Sequence, residues 1–506
     1  MNYQSILFSF TEAARTSPRS EFFSDMNLDQ VFKEILTGKE EYDLYEFYQQ
    51  NLQSVSEVNY RLEVMRDLET PKTFGNLSEF AVKLKKVREF IAFSRTVHNT
   101  YQKQKWHLDA ATLYIKTISH LHRSLTAKDI HSNGLRAYSC WLSDYVLSQK
   151  FKELCVETEE LNNIFNSIRY SIHLDRNRVI VDLDTFEEDY CASLNKTFEH
   201  VNNIEYEFPI SFFTELEMSP LETKILEIVR SNNVDAFDKL AGFYKNNTDF
   251  INLAISSFDR ELQFYISYLE YIKKLRQKGF QFSYPIISTN KTINIIAGYD
   301  LALASKSTSK PETVIPNDFS LDNSERLYII TGPNQGGKTT FVRTLGQILF
   351  LASLGCPVPS LKAELFLFNS FFSHFAKEED LSNNAGRLKE ELVRLKPIMN
   401  EVTENSLIII NELFASTTTY DAYIMGKKVL EYFLDKDCVC LYVTHVYELT
   451  DISDKAVSLV ACVQAEQNSS RTYKINRRQA DGCAYADSVV EKYNLTYSKI
   501  KERLRK

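Results

Sequence analysis

The segment Gly332-Pro333-Asn334-Gln335-Gly336-Gly337-Lys338-Thr339 satisfies the phosphate-loop pattern G-x-x-x-x-G-K-[ST]. Its flanks restrict the fold more than the pattern does. The apolar run Leu327-Tyr328-Ile329-Ile330 precedes it, and Phe341-Val342-Arg343-Thr344-Leu345-Gly346-Gln347-Ile348-Leu349 follows. Strand, glycine turn and helix in that order are the setting in which the pattern works. Glycine lets backbone N–H groups curl around a phosphate, and the helix N-terminus adds partial positive charge. Lys338 is then expected to neutralise the β- and γ-phosphates, and Thr339 to place its hydroxyl on Mg²⁺. Gly332, Pro333, Asn334, Gln335, Gly336, Gly337, Lys338, Thr339 and Thr340 form the expected nucleotide-binding set, with a nucleoside triphosphate and Mg²⁺ as the expected ligands. Of the 14 glycines in the chain, those at 332, 336, 337, 346 and 355 crowd this one stretch, which a chance turn does not account for.

Two later strand ends supply partners for such a loop. Leu407-Ile408-Ile409-Ile410-Asn411-Glu412 resembles a Walker B strand, in which an acidic pair ends a buried strand. The first acid holds Mg²⁺; the second orients and deprotonates the attacking water. Glu412 fits the second role. Asn411 stands in the first, keeping an oxygen acceptor but losing a negative charge, so Mg²⁺ is expected to bind Thr339 and Asn411 more weakly. Tyr442-Val443-Thr444-His445 ends another apolar strand, and a histidine at that edge can sense a γ-phosphate. The expected catalytic residues are therefore Lys338, Glu412 and His445.

The rest of the 506-residue chain divides by pattern near residue 280. Before that point, proline is absent between Pro71 and Pro209 and again between Pro220 and Pro285, and Leu/Glu/Lys-rich tracts favour helix. Ser219-Pro220-Leu221-Glu222 has Ser at the N-cap, Pro at N1 and Glu at N3, a helix start. Ile251, Ile255, Phe258, Leu262, Tyr265, Leu269 and Ile272 recur at alternating spacings of 4 and 3, a heptad-like seam that predicts packing between long helices. The seam should stop at Lys273-Lys274-Leu275-Arg276-Gln277-Lys278-Gly279, with cations in the last turn and glycine beyond it. From Phe282 onward short β-rich runs alternate with helical stretches, so 281–506 reads as α/β with a mainly parallel sheet.

Composition excludes few classes but narrows the partners. No apolar run is long enough to span a bilayer, and Met1-Asn2-Tyr3-Gln4-Ser5-Ile6 lacks the basic and apolar parts of a signal peptide. The eight cysteines form no paired CxxC, and Cys438-Val439-Cys440 on a predicted buried strand reads as core thiols. A reduced, cytoplasmic chain is expected. The net charge of −8 argues against a general nucleic-acid coat, so any such contact must be local. Residues 51–150 carry 15 Lys/Arg against 9 Asp/Glu, with Lys83, Lys85, Lys86, Arg88, Arg95, Lys103 and Lys105 concentrated beside Phe90, Phe93, Tyr101 and Trp106. Such a cluster can track a phosphate backbone. It can equally be the solvated face of helices whose apolar face packs inward.

Together the motifs resemble the ATPase domain of the MutS family of DNA mismatch-repair proteins, within the wider ABC-type ATPases. The resemblance is carried by Ile315-Pro316-Asn317-Asp318, the TGPN-x-GGK loop, Gly355-x-x-Val358-Pro359, Glu379-Asp380-Leu381, Ser416-Thr417-Thr418-Thr419-Tyr420-Asp421 and Thr444-His445-x-x-Glu448-Leu449. Asp481-Gly482-x-Ala484-Tyr485-Ala486 and the charged stretch after it are similar to the family's C-terminal helical dimerisation element. The resemblance implies an α-helical core and lever region, 1–280, followed by an α/β P-loop ATPase domain with that element, 281–506. It also implies a homodimer or paralogue heterodimer, each subunit offering a serine at a helix N-terminus to its partner's ATP. Counting back from Glu412, Gly386 occupies the serine position; Asn383 and Asn384 are the expected substitutes, and Thr418 and Asp421 belong to the same interface. Gln335 stands at the family's usual Met and Asn411 at its usual Asp. Too few residues are expected to precede the loop for mismatch-reading and connector domains, and in a chain with 34 Phe the triplet Phe32-Lys33-Glu34 is expected to mimic the family's mismatch probe by chance.

Three functions fit these residues. One is a dimeric ATPase clamp on double-stranded or branched DNA, acting in repair or recombination without its own mismatch reader and using Lys83, Lys85, Lys86, Arg88, Lys103 and Lys105. Another is a protein-remodelling ATPase that does not bind DNA. The third is a scaffold that binds ATP and barely hydrolyses it, as Asn411 and Gly386 suggest.

Overall fold

A computed structural model describes residues 3–9, 17–125, 130–176, 178–182, 217–307, 314–376, 386–463, 471–480 and 497–503. Its strands, in chain order, are β1 (Ser171–Asp175), β2 (Arg178–Asp182), β3 (Ile286–Ser288), β4 (Ile293–Gly298), β5 (Asn317–Leu321), β6 (Leu327–Thr331), β7 (Lys362–Phe366), β8 (Ser370–Phe375), β9 (Ser406–Asn411), β10 (Val439–Val443), β11 (Ala456–Val463) and β12 (Arg471–Arg477). Before residue 280 the described elements are helices apart from the antiparallel pair β1–β2; after it strands and helices alternate. The compact units are cut differently. One comprises Met1–Gln4, Thr70–Ile130 and Leu135–Leu262; the other comprises Ser5–Glu69, His131–Gly134 and Gln263–Lys506.

The first unit is built on the helices Pro71–Thr96 and Thr100–Leu125. Pro71 sits at the first helical position, where its missing N–H costs nothing. Trp106 packs edge-on against Phe90 and Phe93 with ring centroids 5.0 and 5.7 Å away, so these aromatic residues of the basic stretch join the two helices. The helix Pro220–Asn232 starts as its sequence predicts. Ser219 Oγ accepts from the Glu222 N–H at 3.3 Å, and Glu222 Oε2 accepts from the Ser219 N–H at 2.7 Å, a complete capping box. The helix Leu253–Gln277 supplies residues to both units, and Ile255, Phe258, Leu262, Tyr265, Leu269 and Ile272 of the heptad-like seam are all buried. It ends with Gly279 at φ 95° and the Phe280 N–H donating to Leu275 O, the glycine stop that the sequence predicts.

The second unit holds a six-stranded sheet in the order β12-β11-β6-β10-β9-β8. All its pairings are parallel except β11–β12. Every residue of β6 and β10 is buried, as expected of strands covered on both faces, whose sequences read as unbroken apolar runs rather than alternations. Cys438 and Cys440 lie in this core, where burial pushes the Cys438 thiol up to about 12. A second sheet has the order β3-β7-β4-β5, and its strand β5 leads in sequence into β6. Phe22, Phe23 and Phe32 of the N-terminal helices Ser20–Asp25 and Leu28–Ile35 form an aromatic cluster with Phe350 of the helix after the loop. Phe32 is thus core and not a probe. Among the described residues no helix is long and apolar enough to cross a membrane.

Candidate nucleotide site

The loop after β6 turns in the way its sequence allows. Gly332 has φ 121° and Gly337 has φ 91°, both in the left-handed region where a side chain is strained. At Gly332 a Cβ would also meet Ala461 Cβ of the neighbouring β11 at 2.9 Å. The helix Lys338–Ser353 starts directly behind the loop, its first-turn N–H groups directed toward the turn. Lys338 is buried, and its Nζ donates to Gly332 O at 2.9 Å and Pro333 O at 3.1 Å, so the ammonium spans the loop.

The sheet order brings the other motifs to the same edge. Since β10 lies between β6 and β9, His445 follows a strand flanked on one side by the loop strand and on the other by the Glu412 strand. Ligands of parallel α/β sheets collect beyond the carboxyl ends of the strands. Thr339 Oγ1 donates to Asn411 Oδ1 at 3.2 Å, so the hydroxyl and amide oxygen expected to face the metal are neighbours. His445 Nε2 lies 3.3 Å from Glu412 Oε1. That hydrogen bond and the imidazole charge hold the Glu412 carboxyl below its ordinary range, against a smaller opposing effect of burial. Glu412 has φ 58° and Phe414 φ 63°. Non-glycine residues in this region cost of order 1–3 kcal/mol and persist only where surrounding contacts enforce them. Those contacts are the Glu412 N–H to Val443 O at 2.9 Å and the Phe414 N–H to Glu391 Oε2 at 3.0 Å. Nothing in the sequence signals this strain or the anchoring role of Glu391.

A cleft of about 390 Å³ opens beside the loop. Asn334, Gln335, Gly336, Gly337, Lys338, Thr339, Thr340 and Glu412 line it, together with Asp300, Leu303, Ile315, Asn317 and Tyr473. The lining fits a nucleoside triphosphate with Mg²⁺: a glycine cradle, a buried ammonium, the Thr339 hydroxyl and a carboxylate share one cavity, and the Asn411 amide oxygen is bonded to that hydroxyl. Asn317 accepts from the Ile475 N–H at 2.9 Å and donates to Tyr473 O at 3.1 Å, tying β5 to β12. Tyr473, at φ 55°, packs against Gly337. Sequence reasoning missed Asp300 and Tyr473, because neither belongs to a motif; only the fold brings them to the loop.

The remaining expected residues are placed less simply. Gly386 is the N-cap of the helix Arg387–Glu401, and a Cβ there would meet nothing within 4 Å. Asn383 and Asn384 lie outside the described residues, as do Glu379-Asp380-Leu381 and Asp481–Ala486. Thr418 caps the helix Thr419–Asp435, accepting from the Asp421 N–H at 3.2 Å and donating to Asp421 Oδ2 at 2.8 Å. Of the basic cluster, Lys83 pairs with Glu79, Lys105 with Asp109, and Arg88 with Asp259 at 2.6 Å. Lys86 and Lys103 sit 5.9 and 5.7 Å from the Phe90 and Tyr244 ring centres, within cation–π range. Lys85 and Arg95 are exposed.

Residues 328–498 match MutS domain V. The DNA mismatch repair protein MutS of Orientia tsutsugamushi (strain Ikeda) is 35% identical over 181 residues, which cover 36% of this chain and 20% of that protein. That of Rickettsia canadensis (strain McKiel) is 32% identical over 202 residues, 39% of this chain and 23% of its own. That of Caldicellulosiruptor saccharolyticus is 36% identical over 145 residues, 28% and 17% respectively. The match therefore spans about a fifth of the first relative's length.

Proposed function

We propose, from the match of residues 328–498 to MutS domain V, that the chain binds and hydrolyses ATP with Mg²⁺ as a dimeric clamp on double-stranded or branched DNA. The observation that supports hydrolysis best is the meeting of the loop, the Thr339–Asn411 pair and the Glu412–His445 pair at one sheet edge. Lys338 and the loop N–H groups hold the phosphates. Thr339 and Asn411 would hold the metal ion, which would supply charge neutralisation to the phosphates. Glu412, kept ionised by His445, takes the proton of the attacking water, and His445 is the proposed sensor of the γ-phosphate. The helix start at Gly386, with Asn383 and Asn384, and the interface residues Thr418 and Asp421 serve the partner's site across the dimer. Asn411→Asp tests the metal assignment: tighter Mg²⁺ binding and faster turnover are expected, and unchanged turnover would mean the site is organised around the amide.

Lys85, Lys86, Lys103 and the neighbouring cations form the proposed DNA contact. A specific observation favours the second reading, an ATPase that remodels or scaffolds protein: Lys83, Arg88 and Lys105 are engaged with carboxylates of their own unit. Binding to duplex, mismatched and branched DNA at two salt concentrations, with the ATP-dependent mass followed alongside, separates the two. A clamp shows affinity that falls steeply with salt, because bound cations release counterions. A protein remodeller shows none.

A further inference from the structure

The helix Lys338–Ser353 carries one fully buried amide among apolar side chains. Gln347 has no exposed surface, while Phe341, Val342, Leu345, Ile348, Leu349, Phe350 and Leu351 are buried around it. An apolar residue there would avoid the desolvation that a buried amide must offset with hydrogen bonds. Gln347 makes those bonds to two separate segments, Met26 and the adjoining Asp300-Leu301. Its Oε1 accepts from the Leu301 N–H at 2.8 Å; its Nε2 donates to Met26 O at 2.8 Å and to Asp300 Oδ1 at 3.2 Å. Gly346 makes the Met26 contact possible, because a Cβ there would meet Met26 Sδ at 2.4 Å. A neighbour chosen for absence of bulk and an amide chosen for its bonds serve the same contact.

What the amide fixes is a wall of the nucleotide cleft. Asp300 caps the helix Leu301–Lys306, its Oδ1 accepting from the Leu303 N–H at 2.9 Å, and both Asp300 and Leu303 line the cleft. Leu303, Val314 and Ile315 are the aliphatic side chains among the residues lining the cleft, and apolar lining suits a nucleoside rather than phosphate. We infer that the Asp300–Gln347 pair is a positioning element for the nucleoside end of the bound nucleotide, holding that wall at a set distance from the helix whose first turn grips the phosphates. The inference rests on the ATP reading of the cleft and adds to it how base and phosphate subsites are held in register.

The test compares ATP, ADP and inorganic tripolyphosphate, each with Mg²⁺, binding to the full chain. Gln347→Leu and Asp300→Ala should each weaken ATP and ADP about tenfold, the factor that accompanies one displaced buried hydrogen bond. Tripolyphosphate, which lacks a nucleoside, should bind within about twofold of wild type, since its subsite keeps all its partners. Asp300→Asn keeps an acceptor oxygen and should restore most of the ATP affinity. Equal losses for ATP and tripolyphosphate would make the pair a general support of the helix and overturn the inference, as would unchanged ATP affinity in Asp300→Ala. Asp300→Ala leaves the helix core intact and carries the test if Gln347→Leu does not fold. A wild-type chain that binds tripolyphosphate but not ATP overturns the ATP reading itself, a result separable from any effect of the variants.

Discussion

The nucleotide cleft and the basic helices Pro71–Thr96 and Thr100–Leu125 were both conspicuous in the sequence, and folding treats them in opposite ways. At the cleft, lining residues meet partners far along the chain: Thr339 meets Asn411, 72 positions on, and Glu412 meets His445, 33 positions on. On the helices, cations close in sequence are dispersed, Arg88 to a buried Asp259 and Lys83 and Lys105 to carboxylates one turn away. Strand ends in a parallel sheet converge on one edge, whereas successive helical residues point around a circle. A cluster along the chain is therefore weak evidence for a cluster in space unless backbone geometry gathers it.

Mutation and titration can sharpen or break that contrast, beginning with the cleft. Glu412→Gln should lower ATP turnover by roughly 10²–10⁴-fold while ATP still binds, since an amide cannot accept the water's proton. Single-turnover hydrolysis checks it, and wild-type rates would mean another base. Lys338→Ala should weaken ATP by about a hundredfold, read by titration calorimetry, because the β/γ charge loses its buried ammonium. Wild-type affinity in that variant would dissolve the site.

On the helices the expectations are smaller. Arg88→Gln should destabilise the fold by about 2 kcal/mol by leaving the Asp259 carboxylate short of a partner, an effect that denaturant unfolding resolves. A loss of DNA affinity with full stability would instead mark Arg88 as a contact. Replacing Lys85, Lys86 and Arg95 with Gln should reduce the slope of log affinity against log salt by about 0.9 for each DNA phosphate that is no longer neutralised. No change would favour the reading without DNA.

The subtlest effect is in pH. The His445 contact holds Glu412 below the ordinary carboxylate range. The pair's contribution is thus fully present above about pH 4.3, the unperturbed value, and disappears only as pH falls through the lower folded value. In His445→Ala the acid limb of the turnover profile should move to higher pH. A limb that stays in place would show that Glu412 is not the titrating base, and equal losses of ADP and ATP affinity would mark His445 as structural.

The sequence alone was enough for the loop, the three strand ends, the capping box at Ser219 and the buried seam of the helix Leu253–Gln277. Each is a local rule, a glycine where φ is positive or an apolar residue at a fixed period, and local rules are written in consecutive residues. Only the tertiary structure decided that residues 5–69 fold with the half that holds the phosphate loop, that Glu412 and Phe414 are held in a strained backbone, and that Asp300 and Gln347 meet. These depend on which segments meet, and a lone Asp or Gln carries no periodicity or spacing that announces its partner. The same physics decided the basic stretch: its charge could be counted in the chain, but helix phase and nearby carboxylates determined where each cation went.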